Sequence, residues 1–328
     1  MKYYARKIGY FLLTLWAAIT LNFIIPRLQP GDPAEIMVRQ ITGRGEVDPA
    51  QVEAIRIMLG YGSDNVFIAY WEYLQQVFSG NFGISFTYFP FPVIEVIGKA
   101  LPWTIGLVGI TQILAFLLGT LLGAFAAWKR NSKFDSWVSI GSTFMGNLQS
   151  MWIGMIILFV FAYQLGWFPA SGGWGQTEPG WNWLFIADVI AHSFLPAVTI
   201  MVTAPIGFIL GMRNTMVQVL GEDYIRLGEA AGLPDRTIAL GYAARNAMLP
   251  TVTSFALSLG VLMGGSILVE SLFDYPGMGR LMGEATGNRD FPLMQAILLA
   301  TITIVLTASL IVDLLYPLID PRARKAQN

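Results

Sequence analysis

Side chains able to do covalent or metal chemistry are scarce in this chain. It has no cysteine and one histidine, His192, so thiolate nucleophiles, disulfides and Cys/His metal sites are excluded. The one Gly-Lys pair, Gly98-Lys99, is followed by Ala100 and does not complete a Gly-x-x-x-x-Gly-Lys-Ser/Thr phosphate loop, which puts any ATP chemistry on another chain. No residue is assigned a catalytic or metal-ligating role. What stands out instead are polar side chains set in apolar sequence: Gln112, Asn147, Gln149 and Ser150. Amides and hydroxyls in hydrocarbon must find partners, so each faces a wet cavity or a neighbouring helix; pathway lining and interhelical hydrogen bonding fit equally well. Asp313 reads as an interfacial charge and His192 as a hydrogen-bonded residue near a helix mouth.

The elements that carry these residues follow from composition. Of 328 residues 55% are apolar and 12% charged, against about 25% charged in a soluble domain. The net charge of −1 gives no broad field for nucleic acid. A bilayer core about 30 Å thick needs roughly 20 helical residues almost free of charge. Six charge-free gaps meet that need, at 8–26, 100–128, 136–177, 189–212, 246–269 and 291–312. They predict six transmembrane helices in an all-α integral membrane protein. Gly166, Pro169, Gly172, Gly173 and Gly175 break the second half of the third gap, leaving one helix over about 136–163. The first gap ends in bulky Leu21, Asn22, Phe23, Ile24 and Ile25, then Pro26 and Arg27, so it reads as a retained span rather than a cleaved signal. With the amino terminus inside, inner segments hold thirteen Lys and Arg and the longer outer segments six, which places both termini in the cytoplasm.

The chain then divides into an amino-terminal tail and first span (1–28), an external loop subdomain (29–102), a five-helix core (103–316) with a cytoplasmic loop at 213–250, and a cytoplasmic tail (317–328). Within the external loop, Asp48 and Pro49 start one helix, 66–78 forms another, Gly80-Asn81-Phe82-Gly83 is a turn, and 92–97 is a short amphipathic helix. Trp167, Trp174, Trp181 and Trp183 in the second outer loop fit an aromatic belt at the membrane interface, or stacking on a sugar or peptide side chain. In the cytoplasmic loop, Ile225, Leu227, Ala230 and Ala231 sit among Glu222, Asp223, Arg226 and Glu229, the composition of a short surface helix. Gly232 ends it, and Pro234 and Asp235 open a second helix towards Leu249-Pro250.

At this point the sequence resembles the inner-membrane permease subunits of ATP-binding-cassette (ABC) importers, in the oligopeptide, dipeptide and nickel branch that includes oligosaccharide systems. The likeness runs from Leu28-Gln29-Pro30-Gly31-Asp32-Pro33 through Gly80-Asn81-Phe82-Gly83-Ile84-Ser85 to the carboxy-terminal Glu270-Ser271-Leu272-Phe273-Asp274-Tyr275-Pro276-Gly277-Met278-Gly279, Asn288-Arg289-Asp290-Phe291-Pro292 and Asp320-Pro321-Arg322-Ala323-Arg324. The family's cytoplasmic motif falls on Glu229, Ala230, Ala231, Gly232, Leu249 and Pro250; Ala231 stands where the branch usually has a basic residue, and Gln149 where it has a proline.

The resemblance implies a type I ABC importer permease fold in a bacterial or archaeal cytoplasmic membrane, working by alternating access. It makes the segment Asp223, Tyr224, Arg226, Glu229, Ala230, Ala231, Gly232 and Leu233 the coupling element seated against an ATPase, with Gln112, Asn147, Gln149 and Ser150 as pathway candidates. The implied partners are a paralogous permease, two ABC ATPase subunits that hold the ATP and Mg, an external solute-binding protein and membrane lipid. Oligopeptide is the leading cargo, with oligosaccharide next. An ion-coupled secondary transporter would need carboxylates at membrane depth, and the six gaps hold none. A membrane scaffold fits hydropathy alone.

Overall fold

The computed structural model describes residues 2–28, 35, 38, 49–58 and 65–319. The motifs at 29–33 and 320–324, and most of the expected loop subdomain before residue 65, lie outside the described residues. Within them the chain is helical: α1 (Lys2–Leu28), α2 (Pro49–Met58) and α3 (Val66–Ser79) precede α4, the 36-residue run Val93–Trp128. Then come α5 (Lys133–Gly146), α6 (Ser150–Gln164), α7 (Trp183–Val219), α8 (Asp223–Ala230), α9 (Arg245–Leu272), α10 (Met278–Gly287) and α11 (Phe291–Ile319).

Four described stretches are long and apolar enough to cross a membrane: Tyr4–Ile25 in α1, α4, α7 and Phe291–Leu314 in α11; α5 and α6 make a fifth if the pair is one broken span. The remaining apolar gap, 246–269, lies within the 28-residue α9. The expected short helix at 92–97 is the first turns of α4. Pro102 within α4 removes one backbone donor, and the π-helical turn Ile105–Gly109 follows it.

The third span differs from the sequence expectation of one helix over 136–163. α5 and α6 meet at 96°. Gly146 is a weak helix former, and the amides of Asn147 and Leu148 turn back to Phe144 and Met145 (3.2 and 3.1 Å). The Asn147 side-chain amide donates to Thr143 O (2.7 Å), and Gln149 is extended (ψ 135°), so α6 begins afresh at Ser150. An uncharged gap cannot reveal such an elbow, because its residues suit lipid on either side of the bend.

Packing is closest where side chains vanish. A Cβ on Gly119 of α4 would lie 2.7 Å from Pro205 O, and one on Gly123 would lie 2.4 Å from Ile209 O, both on α7. This small-x3-small spacing lets two backbones touch, which in lipid substitutes for a hydrophobic driving force. α1 is tied to α11 at both ends, by Lys7 Nζ to Asp313 Oδ2 (2.9 Å) and by Asn22 Nδ2 to Gln295 O (3.0 Å).

The two ends of the bundle are built differently. At one, Val93, Val96 and Ile97 of α4 pack with Met278, Leu281 and Ala285 of α10 and with Leu293 and Ala296 of α11. Tyr88 donates there to Glu284, and burial, then that carboxylate, push its hydroxyl pKa well above the ordinary tyrosine value. At the other end, Ala127 of α4 and Met212 and Met216 of α7 pack with Ile225 of α8 and with Ile238, Ala239, Ala243 and Ala244 leading into α9.

Candidate coupling surface and pathway

An eight-residue helix is too short to hold itself together in water, so α8 depends on its caps and anchor. Gly232 adopts φ +75° and its N–H donates to Glu229 O (2.9 Å), while Leu233 N–H donates to Gly228 O (3.1 Å). These two bonds form a Schellman motif, and a Cβ at Gly228 would touch Leu233 Cδ1 at 3.5 Å, where that motif places its apolar contact. Ala231 is the last residue before the turn, and Ala230 and Ala231 are both exposed.

Ile225 is the one buried residue of α8, at 1% exposure. The Asn246 side-chain amide adds a tether from α9 to Tyr224 OH (3.0 Å). The side chains that the sequence assigned to coupling point outward or lie half-buried. Asp223 is fully exposed, Arg226 and Leu227 are 72% and 71% exposed, Tyr224 and Glu229 are exposed, and Leu233 is half-buried against the cluster. The Asp223–Arg226 pair, at 3.8 Å in full solvent, contributes little. α8 is thus held by one buried side chain and one hydrogen-bond tether, with Asp223, Leu227 and Glu229 exposed.

The same end is braced by an ion pair that sequence reading missed. Arg213, near the end of α7, places Nε and Nη2 each 2.9 Å from the two carboxylate oxygens of Asp135 on α5, a bidentate fork. Asn131, at φ +63°, donates its N–H to Asp135 as well (3.1 Å).

Of the pathway candidates, Gln112 alone is deep in the bundle. It is fully buried, its amide nitrogen donates to Ser258 Oγ on α9, and its Oε1 has no hydrogen-bond partner among the described residues. One turn away, Phe116 packs on Phe255 (4.8 Å) and edge-on to Phe208 (5.4 Å), so rings from α4, α7 and α9 converge beside it. Asn147 and Gln149 are exposed at the elbow and Ser150 is half-buried; Asn147 bonds back into its own helix. The structure does not bring these three to Gln112.

At the opposite end, the missed residues are carboxylates that stop apolar gaps. Glu270 is fully buried at the end of α9, where it accepts from Thr104 Oγ1 (3.0 Å) and Gly279 N–H (2.6 Å), while Met278 N–H donates to Thr104 (2.7 Å). The N-terminus of α10 therefore rests on a carboxylate, the sign its dipole favours. Gly277 makes room, since a Cβ there would meet Glu270 Oε2 at 2.2 Å. Asp290, also fully buried, starts α11 and gathers Ser85 Oγ (2.6 Å) and the amides of Phe86 and Thr87 (2.8 and 2.9 Å). Asp188 accepts from Gly175 N–H and Thr177 Oγ1 and pairs with His192 Nδ1 (3.0 Å), which gives His192 a structural place holding the loop between α6 and α7. Trp174 in that loop stacks on Trp103 (5.2 Å) and Trp167 packs on Phe161 (5.7 Å), and Trp167, Trp174, Trp181 and Trp183 all remain exposed.

Among the described residues, four or five helices long and apolar enough to cross a membrane define a multi-pass membrane protein. The chain belongs to the family of binding-protein-dependent transport system inner membrane components, whose sequence profile matches residues 119–325. It is a transport subunit of the inner membrane, not an enzyme. It is 32% identical to the di/tripeptide transport system permease protein DppB of Pseudomonas aeruginosa, over 99% of both chains. It is also 32% identical to the oligopeptide transport system permease protein AppB of Bacillus subtilis, over 92% of each, and to the dipeptide transport system permease protein DppB of Escherichia coli, over 99% of each. The resemblance read from the carboxy-terminal motifs and the Glu229–Gly232 segment is borne out at the level of the family.

Proposed function

We propose that this chain is one permease subunit of an ATP-driven peptide importer, with six spans and both termini in the cytoplasm. Its relatives' names support peptide over oligosaccharide as cargo. The observation that carries the coupling role is α8: seven of its eight residues lie outside the core, and it ends in a rigid Schellman turn. In this reading ATP and Mg bind two ATPase subunits, and closure of those subunits moves α8 as a unit. Asp223, Arg226, Leu227 and Glu229 make the contact, and Ile225 transmits the displacement into α7 and α9 through Met212, Met216 and Ile238.

A paralogous permease completes the pathway, and an external solute-binding protein delivers the peptide at the α10 end. Gln112 and the Phe116–Phe208–Phe255 cluster lie on the route, where a buried amide beside aromatic rings can pass a peptide backbone by exchanging hydrogen bonds. The test is uptake by proteoliposomes holding the permease pair and ATPases, with binding protein outside and ATP inside. Labelled di- to oligopeptides should accumulate only with both ATP and binding protein. Uptake that follows an ion gradient without ATP, or that takes oligosaccharide and not peptide, would overturn the assignment.

A further inference from the structure

α3 carries a second functional surface, facing away from the bundle. At 100° per residue, Phe67, Trp71 and Phe78 fall within about 40° of one another on the helix. They are 86%, 62% and 79% exposed. The polar groups Glu72, Gln75 and Ser79, also exposed, occupy the neighbouring sector, with Ile68 the one apolar residue among them. The remaining side is spoken for: Ala69 is buried, Tyr70 OH bonds Thr20 Oγ1 (2.7 Å), Asn22 donates to Tyr73 OH (3.2 Å), and both rings pack on Phe23 of α1 (5.1 and 5.4 Å).

The docking fixes the depth. Phe23 lies under Arg27, whose guanidinium carbon is 3.5 Å from the ring centroid, and the apolar run of α1 ends at that arginine. A span that stops at an arginine stops at the lipid–water boundary, and α3 is tied to α1 about one to two turns inside it, at Phe23 and Thr20. At the same level Leu21, Ile24 and Ile25 of α1 are also exposed apolar side chains. We propose that α3 is an interfacial helix, its Phe67, Trp71 and Phe78 inserted between the acyl chains and its Glu72, Gln75 and Ser79 in the headgroup water, anchoring the loop before α4 to the membrane. Glu72 is its one charged residue, so the attraction is apolar burial rather than charge, and does not depend on anionic lipid.

The native absence of cysteine permits a direct measurement. Spin labels are placed singly through Phe67→Cys, Trp71→Cys and Phe78→Cys, and through Glu72→Cys, Gln75→Cys and Ser79→Cys, in the assembled transporter. Nanodiscs are made of phosphatidylcholine alone or mixed with phosphatidylglycerol. Collision with oxygen relative to a nickel chelate should be severalfold higher at the first three sites than at the second three, equally in both lipids. Brominated lipid should quench wild-type fluorescence more than that of Trp71→Phe, which reads the native side chain without a label. Six sites favouring nickel alike would place α3 in water and overturn the proposal. So would labels at 67, 71 and 78 shielded from both reagents, since they would then face a protein; recovery on omitting the solute-binding protein would name that partner.

Discussion

Replacing Ile225 with alanine tests whether α8 transmits force or merely connects two spans. Ile225 is 1% exposed, and its removal takes away the one buried side chain of α8. Ile→Ala in a core costs about 2–5 kcal/mol, more where the surroundings cannot close the gap. Here the neighbours include Met212 and Met216, which are flexible enough to move in, so the lower half applies, about 2–3 kcal/mol. Because α8 has no stability of its own, the loss falls on its docking rather than on the bundle. It shifts that equilibrium about 30- to 150-fold. The assay is peptide-stimulated ATP hydrolysis by the reconstituted transporter, alongside the melting temperature of the permease in detergent. Coupled hydrolysis should fall by an order of magnitude or more with melting nearly unchanged. Ile225→Val, costing about 0.5–1.5 kcal/mol, should retain most of it. Leu227→Ala, at an exposed position, should leave melting untouched yet weaken ATPase retention. Normal coupled hydrolysis by Ile225→Ala would refute the reasoning.

Three further outcomes are expected. Gly277→Ala drives a methyl into the Glu270 carboxylate, and should lower permease stability by about 1–3 kcal/mol, read as a lower melting temperature with α8 coupling intact. Gly123→Leu, at a position where even a Cβ would meet Ile209 O, should separate α4 from α7 and reduce the yield of folded permease, whereas Gly141→Leu, in open space, should not. Single cysteines from Trp181→Cys and Thr237→Cys, both exposed, should react with an impermeant maleimide from opposite faces of the membrane; labelling of both from one face would refute the proposed topology.

The helices were legible because charge is costly in lipid: five of the six apolar gaps lie within a helix, and the third, 136–177, lies in a helix pair as far as Gln164. The end of α8 was legible for a local reason, since Gly232 supplies the left-handed residue that a Schellman turn requires. The elbow was not. Asn147 and Gln149 advertise polarity, but whether polar residues line a straight helix or break it depends on backbone bonds that the composition leaves undetermined. Asp135 and Asp188 served in the sequence to mark where apolar gaps stop, and Glu270 and Asp290 did so within the carboxy-terminal motifs, with no structural role attached. For Asp135, Glu270 and Asp290 the partners Arg213, Thr104 and Ser85 lie far away along the chain, so only folding shows these carboxylates as clasps of the helix ends. Which apolar residue of α8 faces inward was equally a tertiary matter: Ile225 is buried and Leu227, two residues on, is not.

In the proposed importer the exposed face of α8 meets an ATPase. A photoreactive residue placed at Glu229 in the assembled importer tests it directly, with one at Trp181 as the control on the far side of the bundle. An ATPase–permease adduct is expected from position 229, lost when Ile225→Ala is added, and none from position 181. A complex that transports peptide yet gives no ATPase adduct from position 229, with or without ATP, would contradict it.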